Sequence, residues 1–158
     1  MLFEEYLREN IIKEWKEYYI NYGLLKNHIE SIIDKKINSE KEFNVFLEKE
    51  WSKYIDFYNY YLRELHDAKV EKKIITKIIN LNKFAYTNQS ALRKIIKKHD
   101  KNSNKPIYPA WEHRIKYKTY KQMFTLLKQI SNLYDQKDDD HIIEMIDQKN
   151  FVRKSIKF

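Results

Sequence analysis

Four lysines late in the chain share one face of a predicted helix. They lie in the segment ALRKIIKKHDK at 91–101 and follow the spacing i, i+3, i+4, i+7, which puts side chains on one side of an α-helix. We call them the lysine face: Lys94, Lys97, Lys98 and Lys101. The opposite face repeats the spacing with Leu92, Ile95, Ile96 and His99. Ammonium groups gathered in this way favour an anionic partner.

The concentration of like charge on the lysine face lowers the stability of the helix. Lysines at i,i+3 or i,i+4 cost roughly 0.2–0.5 kcal/mol per pair, so the four such pairs here cost on the order of 1–2 kcal/mol. In the sequence, Asp100 is the nearby residue that can offset them. The helix dipole favours cations near a C-terminal end, but it does not require them to share one face.

A second pair of residues could complete such a site. Tyr22 and Lys26 are four residues apart in the segment INYGLLK at 20–26, so a phenol and an ammonium group lie on one side of a predicted helix. A tyrosine at helical spacing is more often part of a core, and a lysine is more often solvated. The pair therefore supports the lysine face without defining a site alone.

The composition restricts the fold that must position these groups. The chain has 158 residues, enough for one domain with a core. One Gly and two Pro leave few chain reversals and predict long helices. There are 31 basic and 23 acidic residues, and the formal net charge is +8. This balance favours an anionic partner: nucleic acid, a membrane surface or a small polyanion.

Apolar residues at three- and four-residue steps predict an all-α fold with two long antiparallel helices at its centre. These helices cover 40–66 and about 71–99, with the reversal at 66–72, where Asp67 can cap the second helix. Leu92, Ile95 and Ile96 should be buried, and the lysine face should contact solvent. Before the long helices, we predict a helix over 2–36 and a capping box of Ser39 and Glu42. After them, we predict a loop over 100–106 and one or two helices over 108–136 with Pro109 in the first turn. A short helix within 138–148 should follow the acidic residues Asp138–Asp140. We expect one domain over 1–150 and a tail over 151–158.

The sequence offers little to support catalysis or transport across a membrane. The five His show no metal-ligand spacing, there is no Cys, and no Gly-rich phosphate loop or Ser-His-Asp arrangement is present. His99 beside Asp100 is expected to be a helix-end residue rather than a catalytic pair. No run of about 18 apolar residues exists, and the N-terminus lacks the apolar region of a signal peptide. We expect a cytoplasmic protein that is not an enzyme and has no metal or cofactor.

Four segments resemble, in order and spacing, the successive blocks of an SPX domain. They are MLFEEYL at 1–7, KEWKEYYINYGLLKNHI at 13–29, EFNVFLEKEWSKYIDFY at 42–58 and KFAYTNQSALRKIIKKHDK at 83–101. The last segment is the most specific, and the resemblance extends over roughly residues 1–135. Departures from the usual SPX pattern are Leu2 and Glu4 in place of Lys and Gly, Ala91 in place of a common Gly, and Asn27 in place of a frequent Lys.

The resemblance implies a fold and a function. SPX domains have an N-terminal helical hairpin packed on two long helices, followed here by short C-terminal helices. They bind inositol polyphosphates, especially pyrophosphates, and report phosphate status to a host or partner protein. Such hosts include polyphosphate polymerase complexes, phosphate transporters or exporters, and signalling proteins. Carried over by motif, the phosphate-binding cluster is Tyr22, Lys26 and Lys98, and the lysine surface around it is Lys94, Lys97 and Lys101.

Two other functions are compatible with the sequence. The net charge would suit a nucleic-acid-binding module, although no recognised binding motif is present and acidic residues are interspersed among the basic ones. A helical scaffold could instead bind a protein partner through its aromatic side chains. The nucleic-acid alternative predicts that affinity follows total charge rather than Tyr22 and Lys98.

Overall fold

The computed structural model describes residues 2–67 and 72–117, and these residues are helical with connecting turns. In chain order the elements are α1 (Phe3–Asn10), a 3₁₀ helix (Lys13–Tyr18), α2 (Tyr22–Ile33), α3 (Ser39–Asp67), α4 (Lys72–Asn102) and α5 (Tyr108–Ile115). No strand occurs in the described ranges. The predicted all-α class is therefore confirmed. The predictions for 118–136 and 138–148, and the boundary at 150, lie outside the described residues.

The two long helices α3 and α4 are antiparallel. Glu40, at the start of α3, contacts His99 near the end of α4 with an Oε2–Nε2 distance of 2.8 Å. Midway along, the Tyr54 hydroxyl lies 3.5 Å from the carbonyl oxygen of Ala85. The chain reverses between Asp67 and Lys72, within the segment predicted from the sequence. Whether Asp67 caps α4 lies outside the described residues.

The core lies between the apolar faces of α2, α3 and α4. Side chains at three- and four-residue steps on each helix point to the same side, so they meet the neighbouring helices. The buried members include Leu25 and Ile29 of α2, Phe43, Leu47, Tyr54 and Tyr58 of α3, and Ile78, Leu81, Phe84, Leu92, Ile95 and Ile96 of α4. The predicted burial of Leu92, Ile95 and Ile96 is confirmed, since each is 0% exposed.

The prediction of one helix over 2–36 is wrong. The chain is extended at Ile11 and again at Tyr19, so α1 and α2 are separate helices joined through the 3₁₀ helix. The break after Tyr19 is stabilised by distant side chains. Asn88 Oδ1 accepts the N–H of Ile20 at 2.6 Å, and Glu50 Oε1 accepts the N–H of Asn21 at 2.7 Å. These amides would donate to carbonyls four residues earlier if the helix continued.

Two predicted helix ends are displaced. Ser39 is the first helical residue of α3 rather than its N-cap. The preceding residue, Asn38, has a φ of 61° and accepts the N–H of Glu42 through its backbone carbonyl, so the predicted capping box is wrong. At the other end, α4 continues to Asn102 through the start of the predicted loop at 100–106. Asp, Asn and Ser favour turns in a sequence, but Asp100 uses its carboxylate from within the helix.

A cluster around His99 joins α3, α4 and α5. The His99 ring is 0% exposed and stacks on Phe43 at 4.6 Å between ring centroids. Its Nε2 faces Glu40, and its Nδ1 lies 2.8 Å from Asp100 Oδ1. The Asp100 carboxylate also accepts the N–H groups of Ile107 and Tyr108 at 2.9 and 3.0 Å. His99 thus lies near the end of α4, as predicted, and links the three helices there.

Helix α5 packs beside α4 and contacts α3 through its side chains. Pro109 lies in its first turn, as predicted, and the buried Trp111 ring contacts the Trp51 ring edge-on at 6.3 Å. Arg114 covers Trp111 at 4.2 Å and donates to both carboxylate oxygens of Glu48 at 2.8 Å.

None of the helices within 2–67 and 72–117 combines the length and apolar character needed to span a lipid bilayer.

Candidate functional site

The candidate site is organised around Phe3, near the start of α1. The Phe3 side chain is 6% exposed. The Phe3 ring contacts the Tyr22 ring of α2 in an edge-to-face arrangement, with 5.1 Å between the ring centroids. On another side the Nζ of Lys94 in α4 lies 5.8 Å from the Phe3 centroid, within the range of a cation–π contact. The buried Phe3 ring therefore contacts two residues of the predicted site, the phenol of Tyr22 and the ammonium group of Lys94.

Lys26 reaches the same turn of α1 through the residue after Phe3. Its Nζ donates to Glu4 Oε1 at 2.9 Å, and the two side chains are 38% and 47% exposed. The hydrogen bond from Lys26 to Glu4, together with the charge of that carboxylate, raises the pKa of Lys26. Lys26 is therefore a protonated cation at neutral pH, and its existing partner is a carboxylate.

Tyr22 offers a hydroxyl donor that keeps its proton. Its side chain is half-buried, and that burial, followed by the negative charge of Glu4, raises the pKa of Tyr22, while Lys26 has the opposite effect. The position of the ring follows from the start of α2, where Asn21 Oδ1 accepts the N–H of Leu24 at 3.0 Å and caps the helix. Tyr22 is the first residue after that cap.

The lysine face of α4 contacts solvent, as predicted. Lys97 and Lys101 are exposed, while Lys94 and Lys98 are partly exposed and none of the four is buried. Partial burial, reinforced by the positive charges of Arg93 and Lys97, lowers the pKa of Lys94. The like charges along α4 therefore act on one another. A polyanion bound there would relieve this repulsion.

The structure brings the predicted residues together to different degrees. Tyr22, Lys26 and Lys94 all meet the first turn of α1 through the contacts described above. Lys97, Lys98 and Lys101 extend the positive surface from Lys94 along α4 by their helical spacing. The end of this surface is fixed by Asp100, whose bonds to His99 and to the start of α5 hold the last turn of α4.

Sequence reasoning missed the roles of Phe3 and Glu4. Phe3 had no predicted role in the site, and Glu4 was noted only as a departure from the usual SPX pattern. The signal available in the sequence was their adjacency, FE at 3–4, but nothing local indicates that α1 folds back onto α2 and α4. Asn88 and Glu50 were missed for the same reason. The feature in the sequence that could have indicated each of them was a polar residue on an otherwise apolar, buried helix face.

The described ranges contain no group of three or more His, Cys, Asp or Glu residues placed to hold a metal ion. The closest grouping by type, around His99, has its imidazole between two carboxylates, so the donor atoms do not converge on one point. What the site offers chemically is a set of cationic and hydroxyl donors. Such groups bind phosphate oxygens by charge and hydrogen bonding.

Comparison with known proteins finds relatives at modest identity, among them a fungal and a plant protein. Subunit 4 of the vacuolar transporter chaperone complex of Schizosaccharomyces pombe is 28% identical over 170 residues, covering 85% of this chain and 24% of that protein. An SPX domain-containing membrane protein of Arabidopsis thaliana is 29% identical over 130 residues, covering 63% of this chain and 19% of that protein. No protein-family model matches the chain, and no solved structure matches it significantly.

These likenesses extend over much of the chain and are consistent with an SPX domain. The resemblance of the four sequence segments to an SPX domain is thereby confirmed. The chain spans about a quarter or less of the length of each relative. The similarity therefore concerns one part of two larger proteins.

Proposed function

We propose that this chain is a phosphate-status sensor module that binds inositol polyphosphates or pyrophosphates on its basic surface. The ligand contacts would be Tyr22, Lys26 and Lys98, with Lys94, Lys97 and Lys101 around them. Binding would regulate an attached or partner protein in phosphate or polyphosphate homeostasis, on the cytosolic side of a membrane where the partner is membrane-bound. The ligand would be bound without being transformed.

The convergence of Tyr22, Lys26 and Lys94 on one turn of α1 carries this proposal. Three donors from helices α2 and α4 contact Phe3 or Glu4, and the lysine face continues along α4. A single charge pair at ~4 Å is worth about 4 kcal/mol before desolvation at an effective dielectric constant near 20. Several such contacts suffice to hold a highly charged ligand reversibly. The names of the relatives, one in a transporter chaperone complex and one an SPX domain-containing membrane protein, favour a regulatory role within a larger assembly.

Calorimetric titration with inositol hexakisphosphate tests the proposal. We expect binding that weakens as salt rises, because the contacts are mainly electrostatic. Inorganic sulfate at the same ionic strength should bind far more weakly, because it presents a single compact anion to a site with several cations. Equal binding of the two anions would refute the proposed function.

A matched pair of variants separates a defined site from a generally basic surface. Lys98→Ala should weaken binding roughly ten- to hundredfold, the equivalent of losing about 1.5–3 kcal/mol in a hydrogen bond to a charged group. Lys77→Ala removes the same charge from an exposed position of α4, about 30 Å along the helix, and should change affinity little. Similar losses for both variants would favour the nucleic-acid-binding alternative, in which affinity follows total charge.

A further inference from the structure

Helix α1 is held in place by an aromatic side chain and not by charge alone. Phe3 is buried against Tyr22 and also stacks with Tyr6, one turn later on α1, at 6.3 Å between centroids. Lys94 approaches the same ring from α4. The next residue, Glu4, is therefore presented at a fixed position beside the candidate site.

The Glu4 carboxylate is paired with the Lys26 ammonium group, which the proposed ligand would contact. Its Oε1 accepts a hydrogen bond from Lys26 Nζ at 2.9 Å. The same carboxylate contributes to the raised pKa of Tyr22, so its field reaches a second proposed ligand contact. A phosphate group arriving at Lys26 must displace Glu4 or share the ammonium group with it.

We propose that Glu4 is an internal competitor that lowers the affinity of this site for polyanions and so sets the ligand concentration at which it fills. This inference rests on the proposed function. The ligand can bind through Lys26 only in molecules in which the Glu4–Lys26 pair is open. The apparent affinity is therefore the intrinsic affinity multiplied by the fraction of such molecules. Glu4 therefore determines affinity without contacting the ligand itself.

The decisive comparison is between two neighbouring carboxylates on α1. Glu4→Gln removes the competing charge and keeps the size of the side chain, whereas Glu5→Gln removes an equal charge one position later, from an exposed side chain. Measured by calorimetry with inositol hexakisphosphate on the full chain, Glu4→Gln should bind roughly three- to fivefold more tightly than the unchanged protein, since an exposed ion pair accounts for up to about fivefold. Glu5→Gln should change affinity by less than about twofold, as expected for a screened charge without the ion pair.

A double-mutant cycle shows whether Glu4 acts through Lys26. In a Lys26→Met background the competitor has lost its target, so adding Glu4→Gln should raise affinity no more than Glu5→Gln does. A gain that persists in that background would overturn the inference, because Glu4 would then act by general charge.

The possible results distinguish this inference from the proposed function. If the unchanged protein binds inositol hexakisphosphate and Glu4→Gln matches Glu5→Gln, the competitor role fails and the proposed function stands. If no variant binds inositol hexakisphosphate better than sulfate at equal ionic strength, both fail. Tighter binding by Glu4→Gln that depends on Lys26 supports both.

Discussion

Tyr22 combines a fixed position with a hydroxyl that stays protonated at neutral pH. Its ring is held against Phe3, and its raised pKa, due first to burial and then to Glu4, keeps the group a hydrogen-bond donor. A donor of this kind adds affinity for phosphate without adding charge. Its contribution can therefore be separated from the electrostatics of the lysine face.

Tyr22→Phe should weaken binding of inositol hexakisphosphate by roughly two- to tenfold, the equivalent of one net hydrogen bond of about 0.5–1.5 kcal/mol. The change leaves the net charge as it is, so a purely electrostatic surface would not respond. Tyr60→Phe removes the same hydroxyl from a side chain that is 59% exposed on α3, and serves as the control. Calorimetric titration of both variants measures the difference, and equal affinities would argue against a ligand contact at Tyr22.

At the scale of the elements, the cluster around His99 joins the start of α3, the end of α4 and the start of α5. The His99 ring faces a carboxylate at each of its nitrogens. Partial burial alone would raise the pKa of Glu40, but hydrogen bonds from Ser103 and His99 outweigh it and the net pKa is lowered. For Asp100, burial is likewise outweighed by the N–H of Ile107, by His99 and by the N–H of Tyr108, so its pKa is lowered too.

These lowered pKa values predict a loss of stability in acid. A carboxyl group whose pKa is lower in the folded state contributes stability above its unfolded value of about 4, and this is lost as pH falls through the folded value. Glu40→Gln and Asp100→Asn should each lower stability at pH 7 and flatten its decline below about pH 4. Asp56→Asn, at an exposed position in the middle of α3, should leave the curve unchanged. Urea unfolding at a series of pH values measures this, and a decline as steep in Glu40→Gln as in Asp56→Asn would contradict it.

The break between the 3₁₀ helix and α2 is stabilised in part by the buried side-chain amide of Asn88. Asn88 is 1% exposed, and its Oδ1 accepts the N–H of Ile20, so Asn88→Ala leaves that donor buried without this partner. We expect a loss of about 1–3 kcal/mol in the free energy of unfolding. Asn59→Ala, at an exposed position of α3, should be neutral or slightly stabilising because Ala favours helix. Urea unfolding should show the contrast, and similar values for the two variants would mean that the Asn88 bond does not stabilise the break.

For the whole molecule, the lysine face stores repulsion that a ligand would relieve. The formal net charge of +8 opposes the compact state, and Lys94 experiences it locally through Arg93 and Lys97. A polyanion that binds the folded chain more tightly than the unfolded one stabilises it by mass action. Stability and binding should therefore be linked.

Inositol hexakisphosphate at a hundred times its dissociation constant should raise the melting temperature by roughly 5–10 °C, from about 2.7 kcal/mol of linkage at about 2–4 °C per kcal/mol. Scanning fluorimetry at low and high salt measures the shift, which should shrink as salt screens the contacts. At the same ligand concentration Lys98→Ala should show a smaller shift than Lys77→Ala. A shift that survives high salt, or that is equal in both variants, would contradict binding at the lysine face.

The sequence determined the helical character of the described chain, the two long helices and their reversal, and the solvent-facing lysine face opposite Leu92, Ile95 and Ile96. These follow from periodicity within single segments, because a helix places residues three and four apart on one side wherever it runs. Tertiary structure alone decided where the first 36 residues break. The amides of Ile20 and Asn21 donate to Asn88 and Glu50, 68 and 29 residues away, and no local pattern reveals such partners. The same holds for Glu4, whose pairing with Lys26 requires α1 to fold back onto α2 around Phe3.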